Sequence, residues 1–447
     1  MAAGRIALAF ALTLTSLAAA PAIAQNSRSA GARECPAAER PYCAELSRLM
    51  SDPVVRKALD HAKATDGAAL QDLIMLTQIP APPFKEEVRG RKYAELLRAA
   101  GADSVYIDEV GNVIALRRGK VGGRVVAVVG HLDTVFPEET DVSVTQRGDT
   151  IFAPGVTDNT RGLVAILYTL KAMQEAGLRT DGDILFIGSV GEEGLGDLRG
   201  VKHLFRQGGP RIDAFIAIDG SSENRIVAQA LGSRRYRVTF KGPGGHSWGA
   251  FGGANPAHAL GRAIRLFDEA ADAFTASGPR TSYNIGRIGG GTSVNSIPFE
   301  AWLEVDMRSE SQASLLAIDS IFRAAVQQAV DEQNRLVRRG EKLTVEVEQV
   351  GDRPSGETDP NAPLLLRSQA AIRLFGGRPS VTRSSTDSNV PIALGVPAVT
   401  LGAGGRGGRS HSLDEFWVNR NAYLAVQRLL LVITAEAGYG EGAKAAR

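Results

Sequence analysis

The feature that most constrains this chain is a set of short apolar runs with almost no polar alternation. They lie at 125–129, 184–187, 214–218 and 398–401. A strand that is apolar at every position has both faces covered, which points to a largely parallel sheet under helices. Between the first two runs, Leu163, Ile166, Leu167, Leu170 and Met173 recur at helical spacing. Strands alternating with amphipathic helices define an α/β domain with helices on both faces of the sheet.

The stretch 232–348 follows another order. A strand (236–240), a helix (257–274), two strands (283–287, 301–307), a long helix (312–338) and a last strand (343–347) give β-α-β-β-α-β, the ferredoxin-like succession. The fourth apolar run lies beyond it, so this α+β unit interrupts the sheet domain. The chain therefore divides into a first part of the sheet domain (46–231), an inserted second domain (232–348) and a second part of the sheet domain (349–447). Residues 25–45 read as a polar arm.

Residues 1–24 read as a signal peptide. Arg5 precedes an apolar stretch too short for a membrane span, and Ala22 and Ala24 fit a cleavage site. The mature chain is then expected to be periplasmic or secreted, with no membrane association after cleavage. Cys35 and Cys43 are the only cysteines, and in an oxidising compartment they would close a small loop. The 51 Lys and Arg balance 49 Asp and Glu, so no basic excess supports a nucleic-acid partner.

The chemistry is carried by where the polar residues fall. In open α/β sheets, ligands bind beyond the carboxyl ends of the strands. The first run ends in Gly130-His131-Leu132-Asp133, the second in Gly191-Glu192-Glu193-Gly194, the third in Asp219-Gly220. The fourth leads through a glycine-rich loop to Ser410-His411-Ser412, and Thr157-Asp158-Asn159 precedes the first long helix. Taken singly, His131 is a buried hydrogen-bonded histidine, Glu192-Glu193 an acidic pair at a helix N-terminus, Asp219 a turn aspartate and His411 a loop residue. Together they place imidazoles and carboxylates, which suit Zn²⁺, on one sheet edge. They are too many for a single open tetrahedral site, and two metals sharing a bridging carboxylate fit better. Of the adjacent glutamates, one can bind metal while the other acts as general base.

With these motifs in order and the insertion in place, the sequence resembles the di-zinc exopeptidases of peptidase family M20, among them glutamate carboxypeptidase, aminoacylase, succinyl-diaminopimelate desuccinylase and tripeptide aminopeptidase. The resemblance implies two Zn²⁺ per chain, with Co²⁺ or Mn²⁺ as substitutes. His131 would bind one metal and His411 the other, Asp158 would bridge them, and Glu193 and Asp219 would complete one sphere each. Glu192 would be the general base, and Asp133 would orient His131 through its ring N–H. An aspartate at 219 looks more like the tripeptidase branch.

The resemblance extends to the inserted domain, implying that 232–348 is a lid and dimerisation domain and that 46–231 and 349–447 form the catalytic domain. His246 (in Gly244-Gly245-His246-Ser247) would polarise the scissile carbonyl, often from the partner of a homodimer formed through the lid. Asn295 and Arg308 would bind substrate, and Thr386, Asp387 and the 402–408 loop would line its side. The implied reaction is hydrolysis of the terminal amide of a small peptide by metal-activated water. Carboxypeptidase or N-acyl amino acid hydrolase action is the nearest alternative, and a non-catalytic binding protein on the same fold the remotest. His61, His203 and His258 belong to no motif.

Overall fold

The computed structural model describes residues 35–440. The segment expected to be a signal peptide lies outside them. The nine-stranded main sheet has a parallel centre, in the order Asp183–Ser189, Val125–His131, Ala214–Ile218 and Ala398–Leu401. Antiparallel strands flank it. Val113–Arg117 and Ser104–Ile107 form the expected hairpin on one side, and Arg225–Ala230 pairs antiparallel with Ala398–Leu401 on the other.

The unbroken apolar runs have a direct cause. Val126 and Val128 pack into a core under the helices Pro53–Ala64, Arg161–Ala176 and Tyr423–Glu436. Ala127 and Val129 point to the other face, with Leu198, Val201, Leu204 and Val390. Alternate side chains of one strand thus serve two cores, and neither face can be polar. Register then carries the chemistry to one edge, since His131 pairs with Ser189, at the ends of neighbouring parallel strands.

The inserted unit has its own four-stranded antiparallel sheet, ordered Thr281–Gly290, Glu300–Ser309, Gly232–Lys241 and Thr344–Arg353. Helices Pro256–Thr275 and Gln312–Arg335 pack with it around Tyr236, Val238, Phe240, Phe267, Leu303 and Phe322. Asn255 and Ser311 cap those helices by accepting backbone N–H bonds from Ala257 and Ser314. Only one face of this sheet is covered, so Glu300–Ser309 alternates strictly between buried and partly exposed positions.

Three elements depart from the sequence reading. The last strand of the insertion, expected to stop at 347, runs on to Arg353 through a bulge between Gln349 and Gly351. The expected arm gives way to helix at Arg40, and the Cys35–Cys43 disulfide ties the turn before that helix to its first turn. A small sheet of Thr145–Arg147, Thr150–Phe152, Phe416–Val418 and Arg406–Gly408 was not anticipated. Its middle strands are three residues each, too short to show a period. Among the described residues, no helix is long and apolar enough to cross a membrane.

Candidate metal centre and active site

His131 ends its strand, and its Nδ1 meets the backbone carbonyl of Asp133 at 3.0 Å. The Asp133 carboxylate lies farther off, 3.6 Å from that nitrogen. It accepts instead from the backbone N–H of Glu192 (3.0 Å) and Glu193 (2.7 Å). Asp133 thus lies against the ring nitrogen of His131 that it is expected to orient. Its carbonyl meets the imidazole, while its carboxylate fixes the loop carrying both glutamates.

The small unanticipated sheet explains how Asp158 meets His411. Phe416–Val418 pairs with Thr150–Phe152, drawing two distant loops together. Glu415, fully buried, clamps them. Its carboxylate accepts from the backbone N–H of Gly155 (2.9 Å), Thr157 (2.7 Å) and Asp158 (3.1 Å), and from the Thr157 hydroxyl (2.5 Å). On the other side, the Asn159 amide donates to the carbonyl of Ile218, just before Asp219. Asn159 was read only as part of its motif, with no role, and Glu415 was not singled out in the sequence. A glutamate three residues past Ser412 carries no signal until its loop is seen to wrap the Asp158 loop.

Ligand-type atoms gather into overlapping groups within 4.8 Å: His131 with Asp158 and Asp219, and Asp158 with Glu193 and His411. Asp158 belongs to both. His131 Nε2 is 3.0 Å from Asp158 Oδ1, and His411 Nε2 lies 3.2 Å from Asp158 Oδ2 and 2.9 Å from Glu193 Oε1. The buried His131 Nε2 nevertheless has no hydrogen-bond partner. An imidazole nitrogen aimed at a carboxylate without bonding to it is what shared ligation of a cation requires, so these residues fit a pair of metal ions.

The electrostatics agree. Burial, and then the Asp158 charge, push Asp219 up to about 7. Burial raises Glu192 well above the carboxylate range despite Arg353, with Glu193 adding to the effect. The carboxylates of Asp158 and Glu193 lift His411 to about 10. Burial opposes the charge on His131, but Asp133 and Asp158 outweigh it and raise its pKa. Asp158 is the exception, because the neighbouring His131 and His411 outweigh burial and hold it well below the usual range. Such a crowd of buried acids calls for positive charge.

Glu192 belongs to neither of those groups, although its carboxylate also lies within reach of His131 and Glu193. Its partner is Arg353, whose Nη1 donates to Glu192 Oε1 at 3.1 Å and whose Nη2 donates to the Glu192 carbonyl. The sequence reading missed Arg353, which lies beyond its lid boundary. The acidic pair is not at an α-helix N-terminus either; a short 3₁₀ turn, Gly194–Gly196, follows it.

The remaining candidates separate. Thr386 and Asp387 are buried. Thr386 Oγ1 bonds Thr400 Oγ1 (2.7 Å), and Asp387 accepts from Ser189 (2.6 Å) at the end of a central strand. The Asp387 charge also bears on Glu192 and Asp219, so it lies close to the metal-ligand cluster. In the 402–408 loop, the Gly407 N–H donates to Ser221 Oγ at 2.8 Å. His246 is exposed on a two-residue strand paired with Ser296–Ile297, and the Asn295 carbonyl accepts from Ser247 N–H. Those two share one end of the lid and make no hydrogen bond to the metal-ligand residues among the described residues. Arg308 lies on the open face of the lid sheet with its Nε on Asp306 at 2.7 Å. His203 pairs with Glu109 at 2.8 Å, outside the site.

A cluster of buried carboxylates and imidazoles at strand ends, with a glutamate beside it, defines a metal-binding hydrolase. The chain belongs to Peptidase family M20/M25/M40, which it matches over residues 127–435. It is 25% identical over 347 residues to the succinyl-diaminopimelate desuccinylase of Corynebacterium glutamicum, covering 75% of this chain and 89% of that one. The aminopeptidase PepT structure from Bacillus cereus superposes with a TM-score of 0.65 at 21% identity, covering 83% of this chain and 98% of that one. The Bacillus subtilis YXEP protein, a dinuclear metal-binding peptidase, gives 0.58 at 17% identity, with 83% and 98% covered. The protein is accordingly a metallopeptidase-family enzyme that hydrolyses amide bonds, with a catalytic and a lid domain.

Proposed function

We propose that this enzyme is a two-zinc exopeptidase that removes a terminal residue from small peptides in the manner of a tripeptide aminopeptidase. The observation that carries the reading is the sharing of Asp158 between the His131–Asp219 and the Glu193–His411 groups, with Glu192 alongside. The borderline donor set suits Zn²⁺, with Co²⁺ or Mn²⁺ as substitutes. Bound there, the metals supply Lewis acidity and a water acidic enough to attack at neutral pH. Glu192 takes the proton from the attacking water and returns it to the leaving amine. His246, reaching in from a partner lid, donates to the carbonyl oxygen as charge develops. The exposed Trp248, Phe251, Val294 and Phe299 beside it support a homodimer through the lid. The Cys35–Cys43 disulfide supports export to the periplasm or beyond.

A second reading, carboxypeptidase or N-acyl amino acid hydrolase, is favoured by Arg308. Only its Nε is hydrogen-bonded among the described residues, leaving the terminal nitrogens for a substrate carboxylate. Zinc-loaded enzyme given free, N-acetylated and C-amidated forms of the same tripeptides, read by mass spectrometry, separates the two. Cleavage of the amidated but not the acetylated set is expected. The reverse pattern replaces the first reading with the second, and no cleavage of any peptide overturns both.

A further inference from the structure

The general base is carried by one domain and held by the other. Glu192 sits after a central strand of the main sheet, yet every side-chain donor on its carboxylate among the described hydrogen bonds comes from Arg353, the last residue of the last lid strand. Arg353 is 5% exposed, and its guanidinium grips the glutamate at the carboxylate and at the backbone carbonyl, while Nη1 also reaches Ser385 Oγ at 2.9 Å. The neighbouring lid residues hold the same loop. The Asp352 N–H donates to Asp197 Oδ1 at 2.9 Å, and Arg235, on the first lid strand, donates to the Gly194 carbonyl at 3.2 Å. Two lid strands thus pin the loop 192–197 at three points. The bulge between Gln349 and Gly351 shifts the strand's register just before Arg353.

We propose that Arg353 is a positioning residue for the amide hydrolysis, fixing the Glu192 carboxylate so that the base is placed by the lid strand and not by its own domain. This rests on the proposed role of Glu192. A planar fork gripping two acceptors on one residue removes rotational freedom that a single contact leaves. A base displaced by about 1 Å loses much of its advantage in proton transfer. A residue that acts by placing the base affects the chemical step, so the effect belongs in kcat.

The test compares wild type, Arg353→Gln, Arg353→Lys and Glu192→Gln on a peptide the wild type cleaves. Metal content per chain and hydrogen–deuterium exchange of the 191–197 segment are measured alongside. Arg353→Gln is expected to lower kcat about tenfold or more with KM within about threefold, and to keep its metal. Exchange of 191–197 should quicken, and Arg353→Lys should recover part of kcat. An unchanged kcat, a loss confined to KM, or slowed activity with unchanged exchange overturns the proposal. If Arg353→Gln fails to fold, Arg353→Lys decides by the same kcat and exchange criteria. Wild-type activity in Glu192→Gln would overturn the base assignment and this proposal with it. An inactive Glu192→Gln beside an unaffected Arg353→Gln would overturn the positioning role alone.

Discussion

The two sheets of this molecule solve the same packing problem in opposite ways, and the difference sorts their functions. The main sheet is covered on both faces, so its central strands offer solvent only their ends. All polar chemistry from those strands is forced to the carboxyl edge, where His131, Asp133, Glu192, Glu193 and Asp219 lie. The lid sheet is covered on one face. Its open face carries Arg235, Arg237, Trp302, Glu304, Asp306 and Arg308, cross-paired as Arg235–Asp306 (2.8 Å) and Arg237–Glu304 (2.6 Å). One architecture concentrates buried charge at a line, and the other spreads paired charge over a surface. The first suits metal ligation, the second recognition.

The sharpest test of that division is Glu192→Gln. It removes the base and leaves both metal groups intact. Turnover should fall by about 10²–10⁴-fold while metal content and melting temperature hold. Full turnover in the variant would show that the strand-end cluster does not need its free carboxylate.

Glu415→Gln comes next. It leaves every ligand in place but weakens acceptance from four donors at the Asp158 loop. Metal affinity should fall by about 10–100-fold, as when a group supporting metal ligands is altered. Titration with a competing chelator measures it. An unaltered affinity would mean the loop is held by its own backbone, without the clamp.

Metal removal should make stability depend on pH in one direction. In the metal-free protein Asp219 (about 7), Asp387 (about 6) and Glu192 (raised) bind protons folded that the unfolded chain has released. Stability therefore falls as pH rises above about 4. His411, raised to about 10, and His131, also raised, stabilise fully below about pH 6.5, and that contribution is lost as pH climbs towards their folded values. Asp158, held low, works oppositely, but only below about pH 4. Calorimetry in chelator should give a lower melting temperature at pH 8 than at pH 5, and bound metal should flatten the slope. A metal-free protein that grows more stable between those values would contradict the charge crowding described for the site.

What the sequence made legible follows the same division. The double-covered strands announce themselves as apolar runs, and their end residues could be read off as a set. The lid order was legible from alternating periods. Arg353, Glu415 and the burial of Thr386 and Asp387 were not, because each depends on which distant backbone lies opposite. Arg353 meets Glu192 across 161 residues of chain, and Glu415 meets Thr157 across 258. The strand extension past Val347 was hidden by the bulge between Gln349 and Gly351, which breaks the period-2 pattern that defines a strand in sequence.

The smallest effect tests whether the two cores are separate. Asn255 caps the first lid helix, accepting from the N–H of Ala257 at 3.0 Å and of His258 at 3.4 Å. Asn255→Ala should cost about 1 kcal/mol. The buried residues of the lid core run from Tyr236 to Leu343, and those of the two main-sheet cores lie on either side of that span in sequence. The loss should therefore appear as faster amide exchange in the lid helices and strands, with the strand Val125–His131 unchanged. Equal quickening in both would mean that the contacts of Arg235, Asp352 and Arg353 bind the domains into one cooperative unit. In that case the lid's hold on the base would be a feature of global stability and not of the local contacts alone.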